Sequence, residues 1–216
     1  NTFSEARRYP RSGNQMERAA DERQAVETLM QRGRDEPVMV EPDRVNPGML
    51  GASDYTKPSV GQQLLRQEIL GPEIFDDAFR EYTRRWAFKH PTPADFFRTM
   101  DDVAGRRLDW FWRNWFVENA VYDQGVDTVA TRALGDTLLV AVRYANRQRG
   151  VLPIRARFTF TDGSTEDFAY PAEVWSTNSA RYVRQYVFVK KKLARIELDP
   201  EARLVDIDRA NNVWNA

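Results

Sequence analysis

The chain has no cysteine and a single histidine, His90, among its 216 residues. Disulfides, thiolate nucleophiles and cysteine-based metal sites are thereby excluded, as is any site that needs two imidazoles from this chain. Net charge is also missing, because 32 Lys and Arg balance 32 Asp and Glu. No whole-protein field draws such a chain to nucleic acid or to an anionic membrane surface. No apolar run reaches the roughly 18 residues that span a bilayer, and the N-terminal NTFSEARRYP has no signal-like apolar core. The sequence reads as soluble, with no membrane span and no nucleic-acid partner; it fixes no compartment, and an extracytoplasmic one is compatible with it. No glycine-rich phosphate loop, Gly-x-Ser-x-Gly elbow or His-Glu-x-x-His pair occurs.

What is present is aromatic. Six Trp, twelve Phe and eight Tyr supply a large buried area per residue, and 216 residues allow one large domain or two modest ones. Apolar spacing changes near residue 124, helical before it and alternating or clustered after it. In the first part, MERAADERQAVETLMQRG sets Met16, Ala19, Ala20, Arg23, Val26 and Met30 near one face, with Gly33 as a stop. The segment RDEPVMVEPDRVNPGMLGAS carries three prolines and two glycines, which predicts an irregular connection, either functional or packed across a surface.

Pro58 fits the first turn of the next helix, with Leu64, Leu65 and Ile69 as its buried stripe before Gly71 and Pro72. A helix burying Phe75, Ala78, Phe79, Tyr82 and Trp86 follows. Thr92, Pro93 and Asp95 then form a cap, first-turn proline and acidic first turn ahead of Phe96, Phe97, Met100 and Val103. Leu108, Phe111, Trp112 and Trp115 share a last stripe, leaving Trp110 and Phe116 to face the neighbouring domain. The prediction is a bundle of about five helices.

After residue 124, DTLLVAVRYAN, PIRARFTFTDGSTEDFAYP and ARYVRQYVFVKKKLARIELDP read as strands. Asp162-Gly163 is a strong hairpin signal and Gly135-Asp136 a second turn. The expected fold is α+β: a helical domain over residues 1–124 followed by an antiparallel β-sandwich over 125–216.

Four stretches invite chemistry. His90 in FKHPTPADF reads as a connection residue bonding a nearby backbone group or cap. WFWRNWF has the spacing of a core helix, not of a cation-binding cage. DIDRANN lacks the turn glycine and terminal acid of a calcium loop, so turn bonding of the Asx type accounts for it better. Lys190 to Lys192 read as a guard on a strand edge. From these residues alone no self-contained active site emerges.

The stretch YTKPSVGQQLLRQEILGPEIFDDAFREYTRRWAFKHPTPADFFRTMDDVAGRRLDWFWRNWF, about 60 residues, resembles the C-terminal part of the thermolysin-like catalytic domain in M1 family zinc aminopeptidases. The family pattern is a Tyr-x-Lys opening a helix that ends in Leu-Gly, an aromatic helix, a segment like PTPADFF, and a helix with Gly105, Leu108, Phe111 and Trp115 at its marked positions. The resemblance implies that Tyr55 is catalytic. Its hydroxyl would donate to the oxyanion formed as zinc-bound water attacks the scissile carbonyl, a type of contact worth about 3 kcal/mol per donor. Pro58 departs from the glycine common in the family.

The residues from Asn1 look like those just beyond the glutamate that completes the zinc site. The resemblance therefore implies zinc in the full-length enzyme, with ligands and general base on a missing N-terminal catalytic segment. No metal or other cofactor site is then expected in this chain, which would be inactive alone. Residues 125–216 resemble, more loosely, the β-sandwich that follows this domain. The expected function is the C-terminal portion of a metallopeptidase cleaving peptide substrates near their N-terminus. The alternative is a non-catalytic protein-interaction module derived from a peptidase; a third possibility is two halves acting together after a nick.

Overall fold

The computed structural model describes residues 14–41 and 43–216, with side chains from residue 18 onward. It divides into two compact units, Asn1–Asn119 and Ala120–Ala216. The first is helical and the second is built of antiparallel sheets, so the class is α+β. No helix among the described residues is long and apolar enough to cross a membrane.

The helical unit begins with α1 (Asn14–Gln31), which buries Val26 and Met30 and stops at Gly33, whose φ of 60° is the left-handed conformation that suits glycine. The proline-rich connection is irregular up to Leu50, where a continuous helical run starts. That run consists of a π-helical turn Ala52–Thr56, α2 (Lys57–Leu64) and a second π-helical turn Leu65–Ile69. Leu64 and Leu65 are buried as their spacing predicts, but Leu70 takes the third place instead of Ile69. The extra residue per turn of the π segment rotates the stripe and accounts for the shift.

Helix α3 (Pro72–Trp86) buries Phe75 and Ala78 fully and leaves Phe79, Tyr82 and Trp86 half-buried. Helix α4 (Pro93–Ala104) opens as its sequence predicts. The Asp95 carboxylate accepts from the Thr92 N–H at 2.8 Å and from Thr92 Oγ1 at 2.7 Å, and these bonds hold it below the usual carboxylate range. Helix α5 (Asp109–Trp112) runs into a third π-helical turn, Arg113–Val117. Leu108, Phe111, Trp112 and Trp115 are all buried. Phe116 departs from its expected role, because it packs on Phe97, Phe111 and Trp112 within its own unit.

The second unit has seven strands: β1 (Gln124–Leu134), β2 (Thr137–Asn146), β3 (Ile154–Phe160), β4 (Thr165–Tyr170), β5 (Arg181–Val189), β6 (Leu193–Leu198) and β7 (Val213–Asn215). One sheet has the order β1-β2-β5 and the other β4-β3-β6-β7. They share a core in which Val142, Tyr144 and Tyr186 of the first sheet meet Ile154, Phe158 and Ile196 of the second. This is a β-sandwich. The Gly135-Asp136 and Asp162-Gly163 turns close the β1–β2 and β3–β4 hairpins, Gly163 at a φ of 82°. Strand β1 escapes the reading by alternation because nearly all of it after Gly125 is exposed or half-exposed.

The lysine run also differs from expectation. Lys190–Lys192 form the connection between β5 and β6, not a strand edge. Lys191 hydrogen-bonds Ser164 Oγ, lies 3.6 Å from Asp162 and stands over the Phe160 ring.

Candidate functional site

Pro58 sets the local geometry. Proline has no N–H, and its ring crowds the carbonyl four residues back, here that of Asp54. The helix accommodates this by widening: the turn before Pro58 is π-helical, with the Lys57 N–H bonded to Ala52 O. Such wide turns are rare and recur at functional sites. Tyr55 lies inside this turn and not at the mouth of the helix, a correction to the position its neighbouring proline suggests. Its side chain is 57% exposed. Its hydroxyl has no hydrogen bond among the described residues.

Two positions on, Lys57 points the opposite way. It is 3% exposed, and its ammonium donates to Asp35 Oδ2 at 2.7 Å, Glu36 O at 2.8 Å and Asn119 Oδ1 at 3.1 Å. All three N–H bonds are thus satisfied. Burial pushes the Lys57 pKa down, and the hydrogen bond and charge of Asp35 push it part of the way back. Asn119 Nδ2 donates in turn to Asp35 O at 2.5 Å. The backbone is held as well, since Trp115 Nε1 donates to Lys57 O at 3.0 Å. One turn on, Gly61 admits that indole: a Cβ there would sit 2.2 Å from Trp115 Nε1. Reading the sequence singles out Tyr55 and misses Asp35 and Asn119, which lie 22 and 62 residues from Lys57.

Other stretches with chemical potential are structural. His90 is exposed and has no hydrogen bond among the described residues, so the expected cap or backbone contact is not made. In DIDRANN, Asp206 Oδ1 accepts from Asp208 N at 2.9 Å, Asp206 Oδ2 from Asn212 Nδ2 at 3.1 Å, and Asp208 Oδ1 from Ala210 N at 3.1 Å. This is the Asx-type bonding expected there. Burial pushes the Asp206 carboxyl up to about 6 against these bonds.

No group of three His, Cys, Asp or Glu able to hold a metal ion occurs among the described residues. An apolar groove of about 720 Å³ lies in the helical unit, lined mainly by Val38, Met39, Phe79, Tyr82, Phe96 and Phe97.

No family model matches the chain, and no curated protein matches its sequence. Among solved structures, it is similar to Legionella pneumophila aminopeptidase A in complex with aspartic acid, at 15% identity and a TM-score of 0.47. The match covers 68% of this chain and 16% of that one. A likeness this distant carries no conclusion about activity.

Proposed function

We propose that this chain is the C-terminal portion of an M1-like zinc metallopeptidase that cleaves peptide bonds near the substrate N-terminus. In this reading Tyr55 donates its hydroxyl hydrogen to the oxygen of the scissile carbonyl as negative charge develops there. The ordered motifs from Tyr55 to Phe116 support it, and one observation carries it: Tyr55 is exposed with no hydrogen-bond partner among the described residues, while the turn bearing it is pinned from within through Lys57. A phenol suits the task because it donates at neutral pH without losing its proton. A donor fixed before the charge appears needs little reorganisation during the reaction.

The described residues do not supply a metal site. In this reading zinc and its ligands belong to the rest of the full-length enzyme. The test is Tyr55→Phe in the full-length protein. The expected result is a fall in kcat of about 10² or more with little change in KM, and an unchanged kcat refutes the role.

The alternative, a non-catalytic interaction module, has one observation in its favour. Val183, Val187 and Val189 of β5, an edge strand of its sheet, are 56%, 63% and 61% exposed, and a row of exposed apolar side chains on an edge strand is open to pairing with a partner. A full-length protein that hydrolyses no peptide, whatever stands at position 55, would favour the module.

A further inference from the structure

We infer that Lys57 is a positioning residue for Tyr55 and does not contact substrate; this rests on the peptidase reading of Tyr55. A lysine two residues from a catalytic tyrosine invites assignment as an anchor for an anionic substrate group. The geometry points elsewhere. The side chain is 3% exposed, and its three donors are taken by Asp35 Oδ2, Glu36 O and Asn119 Oδ1 at 2.7, 2.8 and 3.1 Å. A buried ammonium with no free donor has nothing to offer a ligand.

What it does instead follows from where its partners lie. Asp35 and Glu36 belong to the proline-rich connection, and Asn119 follows the last helical turn of the unit. Trp115 Nε1 grips the Lys57 carbonyl at 3.0 Å, and the Lys57 N–H closes the π-helical turn on Ala52 O. Ammonium and carbonyl of one residue are thus engaged by two segments distant in sequence, and its amide by the turn itself. The turn Ala52–Thr56 is stretched wide in front of Pro58, and Lys57 is the point at which it is fastened. Tyr55 is free at its hydroxyl while Lys57, two residues on, is held at every polar atom. Misplacement of a donor by a fraction of an ångström weakens what it contributes to a transition state.

Two variants of the full-length protein test the assignment, each with two readouts. In Lys57→Met, amide exchange at residues 52–57 is expected to accelerate by about tenfold or more while the amides of α3 are unchanged. In the same variant kcat falls by about tenfold or more with KM within about twofold. Asn119→Ala removes one acceptor without leaving a buried charge unpaired, so it remains folded should Lys57→Met not, and it shifts both readouts the same way by less. Unchanged exchange at 52–57 in the folded variants overturns the inference. So does a raised KM with kcat intact, the signature of a substrate contact. If Tyr55→Phe leaves kcat untouched, it is the peptidase reading that fails. The exchange experiment needs no activity and still decides whether Lys57 holds the turn.

Discussion

Replacing Gly61 by alanine sets two physical effects against each other. Gly61 lies inside α2, and alanine in a helix interior is favoured over glycine by about 1 kcal/mol. By propensity alone the variant is more stable. The structure reverses the sign. An added Cβ would stand 2.2 Å from Trp115 Nε1 and 2.5 Å from its Cδ1, and the indole is rigid, fully buried and stacked on Phe111. Overpacking of this kind costs about 1–3 kcal/mol. Displacing the ring also breaks its bond to Lys57 O, a buried bond whose loss costs about 1 kcal/mol or more. The net expectation is destabilisation by about 1–3 kcal/mol. Gly51→Ala is the internal control: it lies in the same helical run and its added Cβ would meet nothing within 4 Å. Urea unfolding followed by tryptophan fluorescence should show a lowered midpoint for Gly61→Ala and an unchanged or raised one for Gly51→Ala. A Gly61→Ala protein as stable as the parent refutes the close Gly61–Trp115 packing and, with it, the account of how Lys57 is gripped.

Three further expectations concern stability. Asp206 is buried with its pKa raised to about 6, so its contribution is fully present below the unfolded value near 4 and is lost as pH rises through about 6. Unfolding of the parent across pH 4 to 7 should therefore show a fall, on the order of 1–3 kcal/mol, that is absent in Asp206→Asn; equal slopes in the two proteins refute the shift. Tyr186 stands between two other phenols, with its hydroxyl 2.6 Å from that of Tyr144 and 2.9 Å from that of Tyr170. Tyr186→Phe strands a buried partner and should cost about 1–3 kcal/mol in thermal unfolding, more than Tyr170→Phe at the end of the chain. Gly105 ends α4 with a φ of 63°, so Gly105→Ala should lower stability by about 1 kcal/mol and Gly105→Asn by less.

The parts of this fold that were legible in the sequence are those whose cause is local. Phe75 and Ala78, Leu108 with Phe111, Trp112 and Trp115, and the Thr92–Asp95 cap all announce themselves within a few residues, because helical periodicity and capping are interactions between near neighbours. The Asp162-Gly163 hairpin is legible for the same reason. Strand β1 was not, since a strand mostly exposed on both sides has no buried face to write an alternation into its sequence. The surroundings of Lys191 are not legible in this way, because its partners Asp162 and Ser164 come from another hairpin, and Phe116 is held by its helical neighbours Phe111 and Trp112 together with Phe97 from the preceding helix.

The same division runs through the candidate site. Tyr55 could be picked out because it belongs to a short motif, but Pro58 reads as an ordinary first-turn proline and does not announce the wide turn before it. What holds the turn could not be read in that way. Asp35 sits in a connection with no periodicity, Asn119 follows a helix end, and neither residue type signals a buried ion pair. Lys57 itself looks like any surface lysine until its three acceptors are seen to converge on it. A buried ammonium left unpaired is costly, so the irregular connection that follows Gly33 is fixed near its start by a demand that originates two residues from Tyr55. A loop that looks like a spacer in the sequence is thus part of the support for the residue on which the proposed chemistry depends.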